Sequence, residues 1–297
     1  MALRTDRNLT ALSISNLYPI RLEHDMEEAF FENARVDALA MERLTGSPYV
    51  IDMYAFCGMT VVTEFAGEEL ATVANKLNST ERLRLATKVA KGLADIHTID
   101  GPNNPPSLVH NDVNLGNLIF TEDHRPVFND FNIAILQMTH NETGETCKFA
   151  SHFPNPQWRA PEEQVYSEDE SDKKPPRVTD KVDIYALGNV FYRLAVEASP
   201  WKKPGAKKLS PDEKMQVAKA KRIAGEMPHV PEETEETTDP ALQVLLQAMR
   251  MAYRFDPSER PTATEIHGFL VKSLERIELE EMYHVFNDNL IDAMSLI

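Results

Sequence analysis

The sequence predicts an α+β protein with a small β-containing front and a larger, mainly helical back. Two β-rich runs at 49–56 and 60–65 follow an amphipathic stretch near the start, and beyond residue 180 apolar residues recur at helical spacing. At 297 residues, 42% of them hydrophobic, the chain is long enough to bury a core and to form two domains or one two-lobed domain.

The front begins with a helix predicted over residues 26–44. Its apolar positions recur at steps of three or four with Glu and Arg between them, which is the pattern of a helix with one buried face. A Gly-Ser-Pro sequence at 46–48 ends this helix. The runs at 49–56 and 60–65 are rich in β-branched and aromatic residues, and the Cys-Gly turn between them predicts a hairpin.

The rest of the chain combines helices, polar loops and one further hairpin. Asn78 offers a cap for a helix whose buried stripe extends to Ile96, and apolar runs at 118–120 and 127–128 flank a polar turn, which predicts the hairpin. Further helices are predicted at 182–195, 241–252 and 263–273, and the helical pattern continues from Ile277. Polar stretches at 167–174, 202–208 and 232–239 are interpreted as solvated loops.

Composition excludes several classes of function. The chain has 47 acidic residues against 31 Lys and Arg, and its net charge of −16 repels phosphate backbones and anionic lipid. We therefore expect no nucleic acid partner and no membrane. The first twenty residues lack the continuous apolar stretch of a signal peptide, which favours a cytoplasmic location. Cys57 and Cys147 lack the spacing of a disulfide framework or zinc site and are expected to be buried free thiols.

Polar side chains suited to phosphoryl transfer are concentrated at residues 108–132. Asp112 is followed five residues later by Asn117, and Asp130 ends the next predicted hairpin. These groups can supply a base for a hydroxyl and two oxygen ligands for Mg²⁺. The same residues also suit a pair of β-turns in which Asn and Asp side chains bond the backbone. On these residues alone, both interpretations stay open.

Five ordered motifs resemble those of the eukaryotic protein kinase superfamily, whose catalytic loop reads His-Arg-Asp followed after four residues by Asn. The motifs are His110-Asn111-Asp112 with Asn117, Asp130-Phe131-Asn132, Trp-Arg-Ala-Pro-Glu at 158–162, Asp-Ile-Tyr-Ala-Leu-Gly at 183–188, and Arg260 within 256–261. Small-molecule phosphotransferases share the first two motifs, but they are disfavoured by Glu162 and Arg260. In the kinase family these two positions form a pair, so we predict a buried ion pair between them.

The resemblance covers about residues 24–273. It implies a two-lobed protein kinase-like fold, with a shortened N-lobe over residues 1–66 and a C-lobe over residues 67–297. It also implies ATP and Mg²⁺ as ligands, and a protein as substrate or partner. The implied reaction is transfer of the γ-phosphoryl group of ATP to a protein hydroxyl, of Ser or Thr rather than Tyr.

The resemblance also assigns roles to individual residues. The implied catalytic residues are Asp112, Asn117 and Asp130, the implied metal ligands are Asn117 and Asp130, and the implied adenine contacts are Glu64, Ala66 and Ile119. Thr63 would be the gatekeeper, and Asp37 takes the place of the glutamate of the αC helix. His110, Phe131 and Met41 would stack as part of the regulatory spine.

Several residues of the family are replaced in this chain. The lysine expected shortly before Asp37 is absent, because the first lysine is Lys76, and Arg21 is the candidate to replace it. The first 45 residues also contain no glycine for a phosphate-binding loop. Asn114 stands in place of the catalytic-loop lysine, and Asn132 replaces the glycine of the Asp-Phe-Gly motif. Two interpretations follow: a Ser/Thr kinase of impaired activity, or a pseudokinase that acts as a binding or regulatory scaffold.

Overall fold

The computed structural model describes residues 28–151, 158–164, 174–202 and 209–295, with the side chains of the last helix as far as Tyr283. The helices are α1 (Glu28–Arg43), α2 (Leu70–Ala74), α3 (Ser79–His97), α4 (Lys181–Val196), α5 (Pro211–Ile223), α6 (Glu232–Glu235), α7 (Pro240–Ala252) and α8 (Ala263–Ser295). The strands are β1 (Met53–Cys57), β2 (Thr60–Thr63), β3 (Ala66–Glu69), β4 (Leu108–Val109), β5 (Leu118–Thr121), β6 (Pro126–Phe128), β7 (Ile135–Leu136), β8 (Phe149–Ala150) and β9 (Arg177–Val178). Several small sheets together with mainly helical content confirm the predicted α+β class.

Helix α1 and the β1–β2 hairpin form the described part of the front. Strand β1 pairs antiparallel with β2, and Cys57 lies opposite Thr60. Gly58 in the turn has φ of 62°, a left-handed conformation that glycine adopts without a Cβ penalty, so the predicted hairpin is confirmed. The predicted first helix is confirmed from Glu28 onward, while its first residues and Arg21 lie outside the described residues.

The prediction of buried thiols is wrong for both cysteines. Cys57 and Cys147 are free, as expected, but both are exposed. Cys57 ends β1 at the hairpin turn, and Cys147 lies in the segment between β7 and β8. The usual preference of cysteine for the interior therefore does not decide either position, because the end of β1 and the segment between β7 and β8 leave both side chains at the surface.

Helix α3 packs against α4, α7, α8 and strand β6. It starts at a capping box, in which the Asn78 side chain accepts the Glu81 N–H and the Glu81 carboxylate accepts the Asn78 N–H, each at 2.9 Å. A Cβ at Gly92 would come within 2.9 Å of Phe128 and of Tyr49, so this glycine permits close approach of the front to the helix. The predicted second helix and its cap are confirmed.

The β5–β6 hairpin is also confirmed, and it is where the front and the back of the molecule meet. Phe128 donates its N–H to the Tyr49 carbonyl at 2.9 Å and accepts the Ile51 N–H at 3.0 Å. Strand β3 adds to β5 on the other side of the hairpin, with Ala66 opposite Thr121. The boundary predicted between residues 66 and 67 falls inside β3, and the division into two lobes there stays a prediction.

The helical back is built on α4, which is buried along almost its whole length and packs against α7. The predicted helices at 182–195, 241–252 and 263–273 are confirmed as α4, α7 and the first part of α8. The loop interpretation is wrong for 232–235, which form the one-turn helix α6 after Pro231. In the parts of the chain that the structure describes, no helix has the length and apolar character needed to cross a bilayer.

The sequence pattern does not predict helix α5, because few of its residues are buried. Its buried residues are Ala218 and Arg222, so it lacks the apolar stripe that identifies a helix in a sequence. Its start is nevertheless well defined, because the Ser210 side chain accepts the Glu213 N–H and Pro211 follows the cap.

Candidate active site

The loop between β4 and β5 carries Asp112, and amide side chains hold this loop in shape. Asn114 Oδ1 accepts the N–H groups of Gly116 at 2.8 Å and Asn117 at 3.2 Å. Asn117 Nδ2 donates to the carbonyl oxygen and to Oδ2 of Asp112, each at 3.0 Å. The β-turn interpretation is therefore correct for Asn114, and it is compatible with an Asp112 carboxylate that is fixed and one-third exposed.

A buried carboxylate on α4 anchors the residues just before Asp112. Asp183 accepts the His110 N–H and the Asn111 N–H, both at 2.8 Å, and lies 2.9 Å from His97 Nε2. Asn111 has φ of 62°, a left-handed conformation that asparagine tolerates better than most residues. The sequence identified Asp183 as a motif position, whereas the structure gives it the function of holding the loop to the helical back.

Asp130 follows β6 and is brought next to the same loop. The Asn129 N–H donates to the Asn117 carbonyl at 3.0 Å, and Asp130 itself has φ of 63°. Among the described residues, no group donates a hydrogen bond to the Asp130 carboxylate or to Asn117 Oδ1. A carboxylate and an amide oxygen that are both available are the hard oxygen ligands that Mg²⁺ prefers, so these two residues fit the metal.

Helix α1 reaches the same site through Asp37. Its Oδ1 accepts the Phe131 N–H at 2.7 Å, which holds the residue after Asp130 in place. Burial raises the pKa of the Asp37 carboxyl, the Phe131 N–H opposes this shift, and the charge of Asp130 adds to it. At the position where the kinase family has a glutamate that binds a lysine, this chain thus has an aspartate that bonds the backbone of the Asp130-Phe131-Asn132 motif.

His110 stacks in the core beneath the loop. Its ring centroid lies 4.7 Å from that of Phe131, and Phe131 and Met41 belong to the same buried hydrophobic cluster. Burial lowers the pKa of His110, which favours the neutral ring. Nδ1 accepts the Asp112 N–H at 3.3 Å, which leaves Nε2 to donate to the Asn129 carbonyl at 3.2 Å. The predicted contact between His110 and Phe131 is therefore confirmed, while the stacking of Met41 on them stays a prediction.

The predicted adenine contacts lie on the strands at the front of the site. The Glu64 carboxylate accepts the Asp52 N–H at 2.9 Å and Arg125 Nη2 at 2.7 Å, so this side chain is structural. The Glu64 N–H donates to the Asp52 carbonyl, so an adenine contact from Glu64 would use its carbonyl oxygen. Ala66 and Ile119 lie on the neighbouring strands β3 and β5, and both are half-buried.

Residues 158–164 bring an arginine to Asp112 that the sequence analysis did not identify. Arg159 Nη2 lies 3.3 Å from Asp112 Oδ1, and Nη1 donates to the Asn111 carbonyl. Its Nη1 also lies 3.5 Å from the buried Glu163. The only sequence signal is a basic residue directly before the Ala-Pro-Glu motif, and nothing in the local pattern indicates where its side chain points.

The predicted pair between Glu162 and Arg260 is confirmed. Arg260 Nη1 and Nη2 donate to the two oxygens of Glu162 at 2.6 and 2.8 Å. The Arg260 side chain is fully buried, and that of Glu162 is 21% exposed. This bidentate ion pair attaches the segment that carries Arg159 to the end of the helical back.

Comparison with known proteins identifies the chain. Residues 18–269 match the family described as the protein kinase domain, which is most of its length. The chain belongs to the protein kinase family. This confirms the resemblance on which the roles of individual residues were predicted, while those roles stay predictions.

Curated relatives support the same family at low identity. A mitogen-activated protein kinase kinase kinase, mkh1, of Cytospora mali is 30% identical over 191 residues, which are 63% of this chain and 9% of that protein. The probable serine/threonine-protein kinase SIS8 of Arabidopsis thaliana is 24% identical over 266 residues, 86% of this chain and 22% of that protein. A probable serine/threonine-protein kinase of Dictyostelium discoideum is 24% identical over 260 residues, 84% of this chain and 24% of that protein. The chain thus spans a quarter or less of the length of these relatives.

Glu163 gives this kinase domain a titratable group buried beside the site. Burial raises the pKa of Glu163 to about 7, although Arg159 and the Ala160 N–H favour the ionised form. Its carboxylate accepts the Ala160 N–H at 2.7 Å and the Ser151 hydroxyl at 3.2 Å. Because the raised value lies near neutrality, the charge of this group changes within the ordinary range of pH.

We expect the stability of the domain to fall as pH rises from about 4.5 to about 7, in part through Glu163. In this window the unfolded chain releases the proton of this carboxyl while the folded chain retains it, so deprotonation favours unfolding. Glu163→Gln should remove about 3 kcal/mol of this pH dependence. Urea unfolding measured between about pH 5 and about pH 8 tests this. The exposed Glu122→Gln should keep the wild-type slope, and an unchanged slope in Glu163→Gln would contradict the assignment.

Proposed function

We propose that this kinase domain binds Mg-ATP and transfers the γ-phosphoryl group slowly to serine or threonine hydroxyls of proteins. One observation supports the proposal: Asn117 bonds Asp112, and the residue before Asp130 bonds the Asn117 carbonyl, so the three residues lie together. The preference for Ser/Thr is supported by relatives named as serine/threonine-protein kinases. A cytoplasmic location and a protein substrate or partner belong to the same proposal.

The proposed chemistry assigns one task to each residue. Asp112 would orient the substrate hydroxyl and accept its proton while the hydroxyl oxygen bonds to the γ-phosphorus and the bond to the β–γ bridging oxygen breaks, releasing ADP. Asn117 and Asp130 would hold Mg²⁺, which offsets negative charge on the phosphates when it is bound. The carbonyl of Glu64 and the N–H of Ala66 would orient the adenine, with Ile119 beside the ring.

A second candidate function is that of a pseudokinase scaffold that binds partners without chemistry. It is favoured by the absence of lysine from residues 1–75 and by the contact that Asp37 makes instead. In the described residues, the Asp37 carboxylate accepts the Phe131 N–H, so this carboxylate has a backbone partner where the kinase family has a lysine. The retained Asp112, Asn117 and Asp130 favour the enzyme.

Thermal unfolding with nucleotide separates these functions. ATP should raise the melting temperature more with Mg²⁺ than with EDTA, because a ligand that binds the folded state alone stabilises it. At ATP about ten times above its Kd, the shift should be roughly 3 °C. Asp130→Asn should abolish the difference between Mg²⁺ and EDTA, since it removes a charged metal ligand.

The matched control is Asp100→Asn, which alters an exposed aspartate in the turn after α3. It should behave as the wild type. Equal shifts with Mg²⁺ and with EDTA would contradict the metal assignment of Asn117 and Asp130. No shift under either condition would contradict nucleotide binding and support the scaffold.

A further inference from the structure

Arg159 is the positively charged residue that contacts Asp112, the candidate base. Its Nη2 lies 3.3 Å from Asp112 Oδ1, while Oδ2 of the same carboxylate accepts the Asn117 amide at 3.0 Å. Each oxygen of Asp112 therefore has its own donor from a different segment of the chain. The Arg159 side chain is 8% exposed and that of Asp112 is 32% exposed, so this contact is partly shielded from solvent.

The surrounding contacts fix Arg159 from several sides. Its Nη1 donates to the Asn111 carbonyl and its Nη2 donates to Asp112, so the guanidinium bonds both groups. Its own carbonyl oxygen accepts Nη1 of the fully buried Arg222 at 2.9 Å and Nε2 of Gln164 at 3.1 Å. A planar donor held in this way loses little further entropy when it orients a partner.

The loop between β4 and β5 does not itself supply a positively charged side chain next to Asp112. Asn114 occupies the position at which the kinase family has a lysine, and its side-chain oxygen is engaged by two backbone N–H groups. The positive group next to Asp112 comes instead from Arg159, 47 residues further along the chain.

We propose that Arg159 is the positioning residue of Asp112 and supplies the positive charge that a lysine at position 114 would otherwise give. This rests on the proposed function, because it assigns a role within the same phosphoryl transfer. Arg159 holds the carboxylate in the orientation that receives the hydroxyl proton. Its charge also offsets part of the negative charge near the transferring group.

The first test compares steady-state transfer of labelled phosphate from ATP to a Ser/Thr peptide by matched variants. Arg159→Gln should lower kcat by about 100-fold and leave KM for ATP unchanged, because one preorganised electrostatic group is lost and the nucleotide contacts remain. Arg159→Lys keeps the charge but cannot donate to Asp112 and the Asn111 carbonyl at the same time. Its kcat should lie between those of the wild type and Arg159→Gln. Asn114→Lys returns a positive charge but loses the Asn114 contacts with Gly116 and Asn117, so its single variant is measured as well. In the Asn114→Lys background, Arg159→Gln should lower kcat at least about tenfold less than it does in the wild type.

Arg82→Gln is the control, because Arg82 is a buried arginine paired with Glu197 away from the site. It should reduce stability and leave kcat unchanged. An unchanged kcat in Arg159→Gln would overturn the proposal. An increase in kcat would also overturn it, since it would mean that Arg159 blocks Asp112. An Arg159→Gln loss as large in the Asn114→Lys background as in the wild type would overturn the shared role of charge.

The second test does not depend on activity. In a double-mutant cycle of Arg159→Gln and Asp112→Asn, the unfolding equilibrium constants should deviate from additivity by about fivefold, because the two side chains are in contact. Additive effects would overturn the proposal whatever the activity. Coupling together with no transfer by the wild type would overturn the proposed function, and this role for Arg159 with it. Coupling together with the expected loss of kcat supports both.

Discussion

Arg260→Ala is expected to destabilise the domain by about 3–5 kcal/mol, the range for removing one partner of a buried ion pair. Arg260 is fully buried and donates to both oxygens of Glu162 at 2.6 and 2.8 Å. It also donates to the carbonyls of Arg254, Lys181 and Phe255. Alanine would remove this donor from the three carbonyls and leave the Glu162 carboxylate without its cation.

Chemical denaturation gives the free energy of unfolding for this comparison. Arg254→Ala is the matched control, because the Arg254 side chain is exposed and its pair with Glu259 is a surface contact at 3.3 Å. That change should cost less than about 1 kcal/mol. An Arg260→Ala variant as stable as Arg254→Ala would mean that the pair does not anchor the segment.

Asp112→Ala is expected to lower the phosphoryl-transfer rate by about 10²–10⁴-fold, the usual contribution of a positioned general base. The wild-type rate should itself be low. Residues 1–75 contain no lysine, so no lysine takes the position that the kinase family has shortly before Asp37. Each preorganised electrostatic group of this kind is worth about 10²–10³ in rate. Transfer of labelled phosphate to a pool of Ser/Thr peptides measures both quantities.

Asp100→Ala, in the exposed turn after α3, should keep the wild-type rate. Transfer that persists in Asp112→Ala would contradict the role of Asp112 as base. Fast transfer that depends on Asp112 would contradict the prediction of impaired activity. In that case Arg21 or another group would do the work of the missing lysine.

The contacts that build the site show where sequence reasoning reached its limit. The sequence analysis found Asp112, Asn117 and Asp130 as motif positions. Their spacings are short and lie within one loop and one hairpin, so they can be recognised in the sequence. Arg159 was missed, because its contact with Asp112 spans 47 residues and depends on how the segment after β8 packs. The pair of Glu162 and Arg260 spans 98 residues and was predicted only because a family resemblance carries long-range information.

The sequence by itself determined the order and type of the main elements: α1, the β1–β2 and β5–β6 hairpins, α3 with its cap, and the helices of the back. Periodicity, capping side chains and turn residues act within a few residues, so they can be recognised without knowledge of the fold. The tertiary structure alone decided the exposure of both cysteines, the burial of Glu163 and the bond from Asp37 to the Phe131 N–H. These depend on which distant segments pack together, and a carboxylate or thiol has the same local sequence signal whether its neighbours are water, a cation or a backbone amide.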